Sequence, residues 1–168
     1  MFSYLDRMIR RLTAQRESLE WAFAQVQALP GPAMEFGLGN GRSYDHLRTH
    51  LPGRDIYVFD NRVAAHPACI PPEDRMLLGD FRETAPAAVA RFSATVALIH
   101  GDVGSSDIPA SRALAFELAP YWAALLQPGG VLVSDQPLAY PGFAELKPER
   151  QFPEHYYLFR RVDTRLIG

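Results

Sequence analysis

The stretch from Ala33 to Ser43, which reads A-M-E-F-G-L-G-N-G-R-S, constrains the fold of this chain more than any other. A short apolar run passes through a carboxylate, Glu35, and enters a segment with glycine at every second position: Gly37, Gly39 and Gly41. The pattern predicts a strand that runs into a tight turn and then a helix capped by Ser43. Glycine suits such a turn because it accepts positive φ angles and lets a ligand approach the backbone. The free N–H groups of the helix would then face that ligand.

This stretch resembles motif I of the class I S-adenosyl-L-methionine (SAM) dependent methyltransferases, an acidic residue followed by G-x-G-x-G. Here the motif stands as E-F-G-L-G-N-G, from Glu35 to Gly41. The alternative is the dinucleotide fingerprint G-x-G-x-x-G, which would need glycine at the position of Arg42. The spacing therefore favours SAM over NAD.

Composition and length are those of one globular domain spanning residues 1–168. A formal net charge of −2 gives no basis for attraction to nucleic acid or to an anionic membrane. The single cysteine, Cys69, excludes an intrachain disulfide and a multi-cysteine zinc site. No apolar run approaches the ~20 residues that span a bilayer, and the first residues are too polar for a secretory signal. We therefore expect a cytoplasmic protein without a membrane partner.

The first 29 residues predict a leading helix. Ser3 and Asp6 fit a capping box, and apolar residues recur at helical spacing from Leu5 to Val26. Pro30-Gly31-Pro32 ends the helix. Its amphipathic pattern predicts packing against the domain or against a second subunit, so a homodimer is possible.

Downstream, short apolar runs alternate with helical patterns. The predicted strands are Ile56–Asp60, Arg75–Phe81, Thr95–Asp102 and Val131–Asp135, and the predicted helices are Tyr44–His50, Thr84–Phe92 and Asp107–Leu126. This alternation predicts an α/β fold with a doubly wound, mostly parallel sheet. The resemblance implies a Rossmann-like strand order 3-2-1-4-5 with an antiparallel strand at one edge. The C-terminal region 137–168 predicts a reduced version of that edge, with a strand at His155–Val162.

A carboxylate at the end of the second strand predicts a ribose contact. Asp60 follows Gly41 by 19 positions, close to the ~20 expected of an acid that binds ribose hydroxyls. The resemblance further implies that Asp80 accepts from the adenine amino group, that Phe81 lies on the ring and that Glu35 lies near the cofactor's ammonium. The full predicted cofactor set is Glu35, Phe36, Gly37, Leu38, Gly39, Gly41, Asp60, Asn61, Asp80, Phe81 and His100.

A second segment carries the same resemblance. Leu125 to Asp135 reads L-L-Q-P-G-G-V-L-V-S-D, which is similar to the segment that precedes and forms strand five in class I methyltransferases. Motif I, the two aspartates and this segment occur in the family's order.

Candidate catalytic residues stand at the ends of the fourth and fifth strands: His100, Asp102 and Asp135. In open α/β sheets these ends border the ligand crevice, so we expect the side chains to point into it. His100 is suited to act as a general base near pH 7.

The same segments also resemble the metal-dependent catechol-type O-methyltransferases. Asp102, Asp135 and Gln136 could then supply oxygen ligands to a divalent cation. However, that family's first carboxylate is His100 here and its following histidine is Val103, so the prediction is that no metal binds. The [DN]-P-P-[YF] motif of base and amide N-methyltransferases is missing after strand four, which argues against a nucleic-acid substrate.

The sequence thus predicts a SAM-dependent methyltransferase acting on an oxygen or nitrogen of a small molecule. Two alternatives remain: a SAM-binding module without its own catalysis and an NAD-dependent oxidoreductase.

Overall fold

The structure, a computed structural model, describes residues 1–148 and 156–163. Four α-helices and seven strands alternate along these residues. The helices are α1 (Tyr4–Val26), α2 (Arg42–His50), α3 (Phe81–Phe92) and α4 (Ile108–Leu125). The strands are β1 (Ala33–Phe36), β2 (Ile56–Asp60), β3 (Met76–Leu78), β4 (Val96–Gly101), β5 (Leu126–Ser134), β6 (Phe143–Leu146) and β7 (Tyr157–Arg161).

The strands form one sheet in the order β3-β2-β1-β4-β5-β7-β6. The first five pair in parallel, and β7 and β6 continue the sheet antiparallel. The predicted Rossmann-like sheet and its order 3-2-1-4-5 are therefore confirmed. The predicted C-terminal strand is confirmed as β7, although His155 lies outside the described residues. The sequence analysis missed β6, which contains only four residues and has no buried face.

Two apolar layers cover the sheet. On one face α1 and α2 pack through Leu19, Phe23 and Leu47. On the other face α3 and α4 pack through residues that include the fully buried Trp122. Gly101 leaves room for that indole, because a Cβ atom there would lie only 3.0 Å from the Trp122 ring. The strands are held from both faces, so their carboxyl ends form a rigid edge.

Helix α1 confirms the predicted capping box. Ser3 Oγ accepts from the backbone N–H of Asp6 at 3.1 Å, and Asp6 accepts from the backbone N–H of Ser3 at 2.9 Å. At the other end Arg54 donates to the backbone oxygens of Val26, Leu29 and Gly31. No helix within the described ranges is long and apolar enough to cross a membrane.

Several predicted boundaries differ from the structure, and the predicted strand Arg75–Phe81 is the shorter Met76–Leu78. Ser43 does not cap α2, because the helix begins at Arg42 with Gly41 as its left-handed cap. Helix α3 begins at Phe81, earlier than predicted, because Asp80 caps it. Strand β5 begins at Leu126 and passes through Pro128-Gly129-Gly130, opposite a register shift in β4 between Val96 and Leu98.

Candidate functional site

A cavity of about 510 Å³ opens at the carboxyl edge of the parallel strands. Its wall includes eight predicted site residues: Gly37, Leu38, Gly39, Asp60, Asn61, Asp80, Phe81 and Asp102. Helix α1 contributes Arg11 and Gln15 to the same wall. The volume lies within the usual range of about 300–1,000 Å³ for small-ligand pockets.

Each glycine of the turn has a different structural role. Gly37 has φ of 100°, and a Cβ atom there would overlap the backbone oxygen of Asp102. Gly41 has φ of 80° and packs against Cys69. Gly39 has φ of 50°, yet a Cβ atom there would meet nothing within 4 Å. Packing therefore requires Gly37 and Gly41, whereas Gly39 keeps the cavity wall bare.

Asp60 lies at the end of β2 and fixes the glycine turn. Its Oδ2 accepts from the backbone N–H of Leu38 at 2.8 Å and of Gly39 at 3.3 Å. Its Oδ1 accepts from the backbone N–H of Arg62 at 3.2 Å. A carboxylate oxygen has room for a further hydrogen bond, so Asp60 can hold the turn and still contact a ligand in the cavity.

Asp80 and Phe81 lie together at the N-terminus of α3. Asp80 Oδ1 accepts from the backbone N–H of Arg82 at 2.8 Å, which caps the helix. The Phe81 ring packs edge-on against Phe36, with 5.8 Å between ring centroids. Both side chains are positioned by local structure and still line the cavity.

Glu35 and His100 do not line the cavity. Both are fully buried on neighbouring strands, and His100 Nδ1 lies 3.0 Å from Glu35 Oε1. Burial raises the pKa of Glu35 against the opposing hydrogen bond and charge of His100. Burial lowers the pKa of His100, but the hydrogen bond and charge of Glu35 outweigh it and the net shift is upward. The pair therefore retains a proton between the two side chains beneath the glycine turn.

The second carboxylate oxygen of Glu35, Oε2, is also buried. The Ser43 hydroxyl lies close enough to lower the pKa of Glu35. Its geometry falls short of a hydrogen bond, however, and Oε2 has no partner among the described residues. An unsatisfied buried carboxylate oxygen is costly, and it adds to the burial that raises the pKa of Glu35. Glu35 therefore lies behind the cavity wall, buried with His100, and its expected place near the cofactor's ammonium group stays a prediction.

Gln15 links the buried pair to the cavity. Its Nε2 lies 3.5 Å from His100 Nε2 and donates to Asp102 Oδ2 at 2.9 Å. Arg11 Nη2 donates to both oxygens of Asp102, at 3.0 and 3.2 Å. The sequence analysis missed both α1 residues, because the amphipathic pattern of the helix did not distinguish Arg11 from its other charged residues. Gln15 carried the one usable signal, a polar side chain beside apolar positions of the helix.

Asp135 supports the loop after β4. Its oxygens accept from the backbone N–H groups of Val103 at 3.3 Å and Gly104 at 2.7 Å, and from the Gln136 amide at 3.2 Å. Burial and the neighbouring Asp102 raise the pKa of Asp135 to about 6. Asp135 and Gln136 lie outside the cavity wall.

The catechol-type metal site does not fit this arrangement. The oxygens of Asp102 accept from Arg11 and Gln15. Those of Asp135 accept from backbone amides, and Gln136 turns its NH₂ group toward Asp135. The carboxylates of Asp102 and Asp135 thus act as hydrogen-bond acceptors and Gln136 acts as a donor. A bound cation would have to displace these donors, and the absence of a metal stays a prediction.

The strand order, the glycine turn and the acid at the end of β2 define a class I SAM-binding fold. The chain belongs to a family of S-adenosyl-L-methionine methyltransferases, whose model matches residues 2–162. It is a SAM-dependent methyltransferase with SAM as its cofactor, and the NAD alternative is set aside.

Solved structures agree with this family. A SAM methyl transferase from Silicibacter pomeroyi DSS-3 is 42% identical, with 96% of this chain and 99% of that chain covered and a TM-score of 0.87. Human methyltransferase-like protein 13, solved in complex with SAH, is 16% identical, with 92% and 82% covered and a TM-score of 0.54. The antibiotic-resistance methyltransferase Kmr is 12% identical, with 88% and 93% covered and a TM-score of 0.53. The last two share the fold alone. Comparison with curated protein sequences gives no match.

The cavity residues fit SAM. The open space at Gly39 permits close approach to the backbone. Asp60, Asp80 and Phe81 line the same cavity, and carboxylate and aromatic side chains are suited to bind a ribose and a base. Arg42 and Ser43 of the first turn of α2 also line the cavity, and no side chain caps that turn. Its N–H groups are oriented to receive a carboxylate.

Proposed function

We propose that this methyltransferase transfers the SAM methyl group to an oxygen or nitrogen of a small molecule. The observation that carries the proposal is the contact of α1 with one wall of the cavity. Arg11 and Gln15 donate hydrogen bonds to Asp102 and border one cavity with the glycine turn. A cavity of about 510 Å³ with this helix along one wall favours a compact acceptor over a folded macromolecule.

On this proposal the cofactor lies along the carboxyl edge. Backbone groups of Gly37, Leu38, Gly39 and Gly41 would approach its amino-acid part. Asp60 and Asn61 would hold the ribose, and Asp80 and Phe81 would frame adenine. Glu35, Phe36 and His100 would support the turn from below, since they are fully buried. Bound SAM supplies a methyl group on a good leaving group, so the protein's task is chiefly to align the acceptor.

Asp102 is the predicted catalytic residue that touches the cavity. Its side chain is 17% exposed and borders the same space as Gly37. We propose that its carboxylate accepts a hydrogen bond from the acceptor's hydroxyl or amine and orients the lone pair. His100 would position Asp102 through Gln15, and Asp135 would position it by holding the loop of Val103 and Gly104.

The acceptor class can be tested with a cell extract divided by size. The protein would be incubated with methyl-labelled SAM and either the low-molecular-weight filtrate or the retained macromolecules. We expect label transfer and SAH release with the filtrate, and none with an Asp102→Asn variant that still binds SAM. Transfer only to protein or nucleic acid in the retained fraction would overturn the small-molecule proposal.

Homodimerisation and a cytoplasmic location are further proposals. Large apolar side chains at the start of α1, including Phe2, Leu5 and Ile9, are more than half exposed. Their burial against a second copy would favour association. Light scattering should then give twice the chain mass, and a Leu5→Lys, Ile9→Lys variant should give the single mass. A monomeric parent chain would contradict this arrangement.

A further inference from the structure

The outer surface where α1 meets α2 carries two histidines and a glutamate that the SAM site does not use. His46 and His50 lie one turn apart on α2, and Glu20 faces them from α1. One ring nitrogen of each histidine and one carboxylate oxygen of Glu20 all lie within 4.8 Å of one another. His46 Nε2 lies 3.7 Å from Glu20 Oε1.

From this geometry we propose a binding site for a divalent transition-metal ion, with zinc as the best match, that joins α1 to α2. Two imidazoles and one carboxylate form a common zinc ligand set, and a water molecule would complete the coordination. Tetrahedral zinc with bonds of about 2.0–2.2 Å holds its ligand atoms about 3.3 Å apart. The separation between His46 and Glu20 already approaches that value, and the exposed His50 and Glu20 side chains need small rotations to reach it.

The rings of His46 and His50 each present a nitrogen atom that can bind a metal ion. His46 Nε2 is buried and has no hydrogen-bond partner among the described residues. His50 Nδ1 lies 3.0 Å from the backbone oxygen of His46, which can only accept. The His50 proton is therefore fixed on Nδ1, and its Nε2 keeps a free lone pair, as in histidines that ligate metals.

Phe23 of α1 holds both rings in place. Its ring stacks on His50 at 5.6 Å and packs against His46 at 5.7 Å. Arg16 is the competing cation, but its Nε lies 4.0 Å from Glu20 Oε1 and its side chain is mostly exposed, so the pair is weak. Metal binding here would tie down the helix that brings Arg11 and Gln15 to the cavity.

The test is calorimetry of the metal-stripped full chain with zinc chloride, independent of methyl transfer. We expect saturable binding of one zinc ion per chain and a higher melting temperature with zinc. Glu20→Gln and His50→Ala should each weaken binding at least about tenfold and remove the thermal shift. His66→Gln, an exposed histidine outside the cluster, is the matched control and should bind like the parent chain.

Two results would overturn the proposal. One is the lack of saturable zinc binding by the parent chain. The other is equal binding by the parent and both cluster variants, which would place the ion elsewhere. Circular dichroism of the metal-free variants checks that they fold. If His50→Ala is less stable than the parent chain, Glu20→Gln serves as the test variant, because the Glu20 side chain is about half exposed.

Discussion

Asp60 illustrates how one residue can serve both fold and function. Its carboxylate binds two backbone N–H groups of the glycine turn, so the turn is already shaped before a ligand arrives. This use of a charged acceptor explains why a carboxylate, and not merely a polar side chain, ends β2. Charged hydrogen bonds of this kind contribute about 1.5–3 kcal/mol each.

We expect Asp60→Asn to weaken SAM binding by about 10- to 100-fold, because the neutral amide loses charged contacts to the turn and to the ribose. Isothermal calorimetry with SAM measures this directly. Asp55→Asn is the matched control, since Asp55 precedes the same strand at the opposite edge and pairs with Arg75. If the two variants bound SAM with equal affinity, Asp60 would not be a SAM-binding residue.

Substitutions at two glycines of the turn distinguish an effect on folding from an effect on SAM binding. Gly37→Ala forces a side chain into φ of 100° and into the backbone of Asp102. We expect it to lower the free energy of unfolding by roughly 1–3 kcal/mol or more. Gly39→Ala meets open space and should cost about 1 kcal/mol, but it should impair SAM binding. Urea unfolding and calorimetry check both, and the reverse order of stabilities would contradict this account of the turn.

The raised pKa of Asp135 makes the free energy of unfolding depend on pH. Its pKa of about 6 in the folded protein lies above the unfolded value of about 3.9. The folded state therefore binds the proton more tightly, and this contribution is complete below about pH 4 and is lost as the pH rises through about 6. The change is on the order of 3 kcal/mol.

The measurement is urea unfolding of the parent chain and of Asp135→Asn across this range. We expect the stability of the parent relative to the variant to fall as the pH rises from about 4 to about 7. A relative stability that rises or stays constant over that range would show that Asp135 is not protonated in the folded state.

At the scale of elements, α1 forms one wall of the cavity. Arg11 and Gln15 lie toward the middle of the helix, and Arg54 fixes its C-terminal end by donating to three backbone oxygens. Burial lowers the pKa of Arg54, yet its hydrogen bonds satisfy the helix end and the loop that follows.

We expect Arg54→Met to destabilise the fold by roughly 1–3 kcal/mol, because buried carbonyl groups lose a charged donor. Arg112→Met, at an exposed position of α4, is the matched control and should change little. Thermal unfolding distinguishes them. Equal melting temperatures for the two variants would mean that Arg54 does not secure α1.

Much of the architecture follows from local patterns in the sequence. Apolar strands alternating with helical patterns predicted the parallel sheet, and the family resemblance of the glycine turn and of the segment from Leu125 to Asp135 implied the order of its strands. Register and burial were not predictable in this way, because they depend on contacts between distant segments. The pairing of β1 with β4 places Glu35 beside His100 and buries both, which the local pattern around neither residue indicated. Arg11 and Gln15 could not be assigned without knowing which face of α1 meets the sheet.

At the scale of the whole molecule, one edge of the sheet gathers the turn, the strand-end acids and α1 around a single cavity. Ligand binding to such a site should stabilise the entire fold, since the unfolded chain has no site to offer. We expect SAM and SAH each to raise the melting temperature, whereas NAD should leave it unchanged. A shift with NAD equal to that with SAM would contradict the cofactor specificity.

A crystal structure of the chain grown with SAH tests the central claim most directly. We expect one SAH molecule along the carboxyl edge, with its ribose hydroxyls on Asp60, its adenine beside Asp80 and Phe81, and its sulfur facing Asp102. SAH bound away from this cavity, or in it without contact to Asp60, would contradict the proposed site.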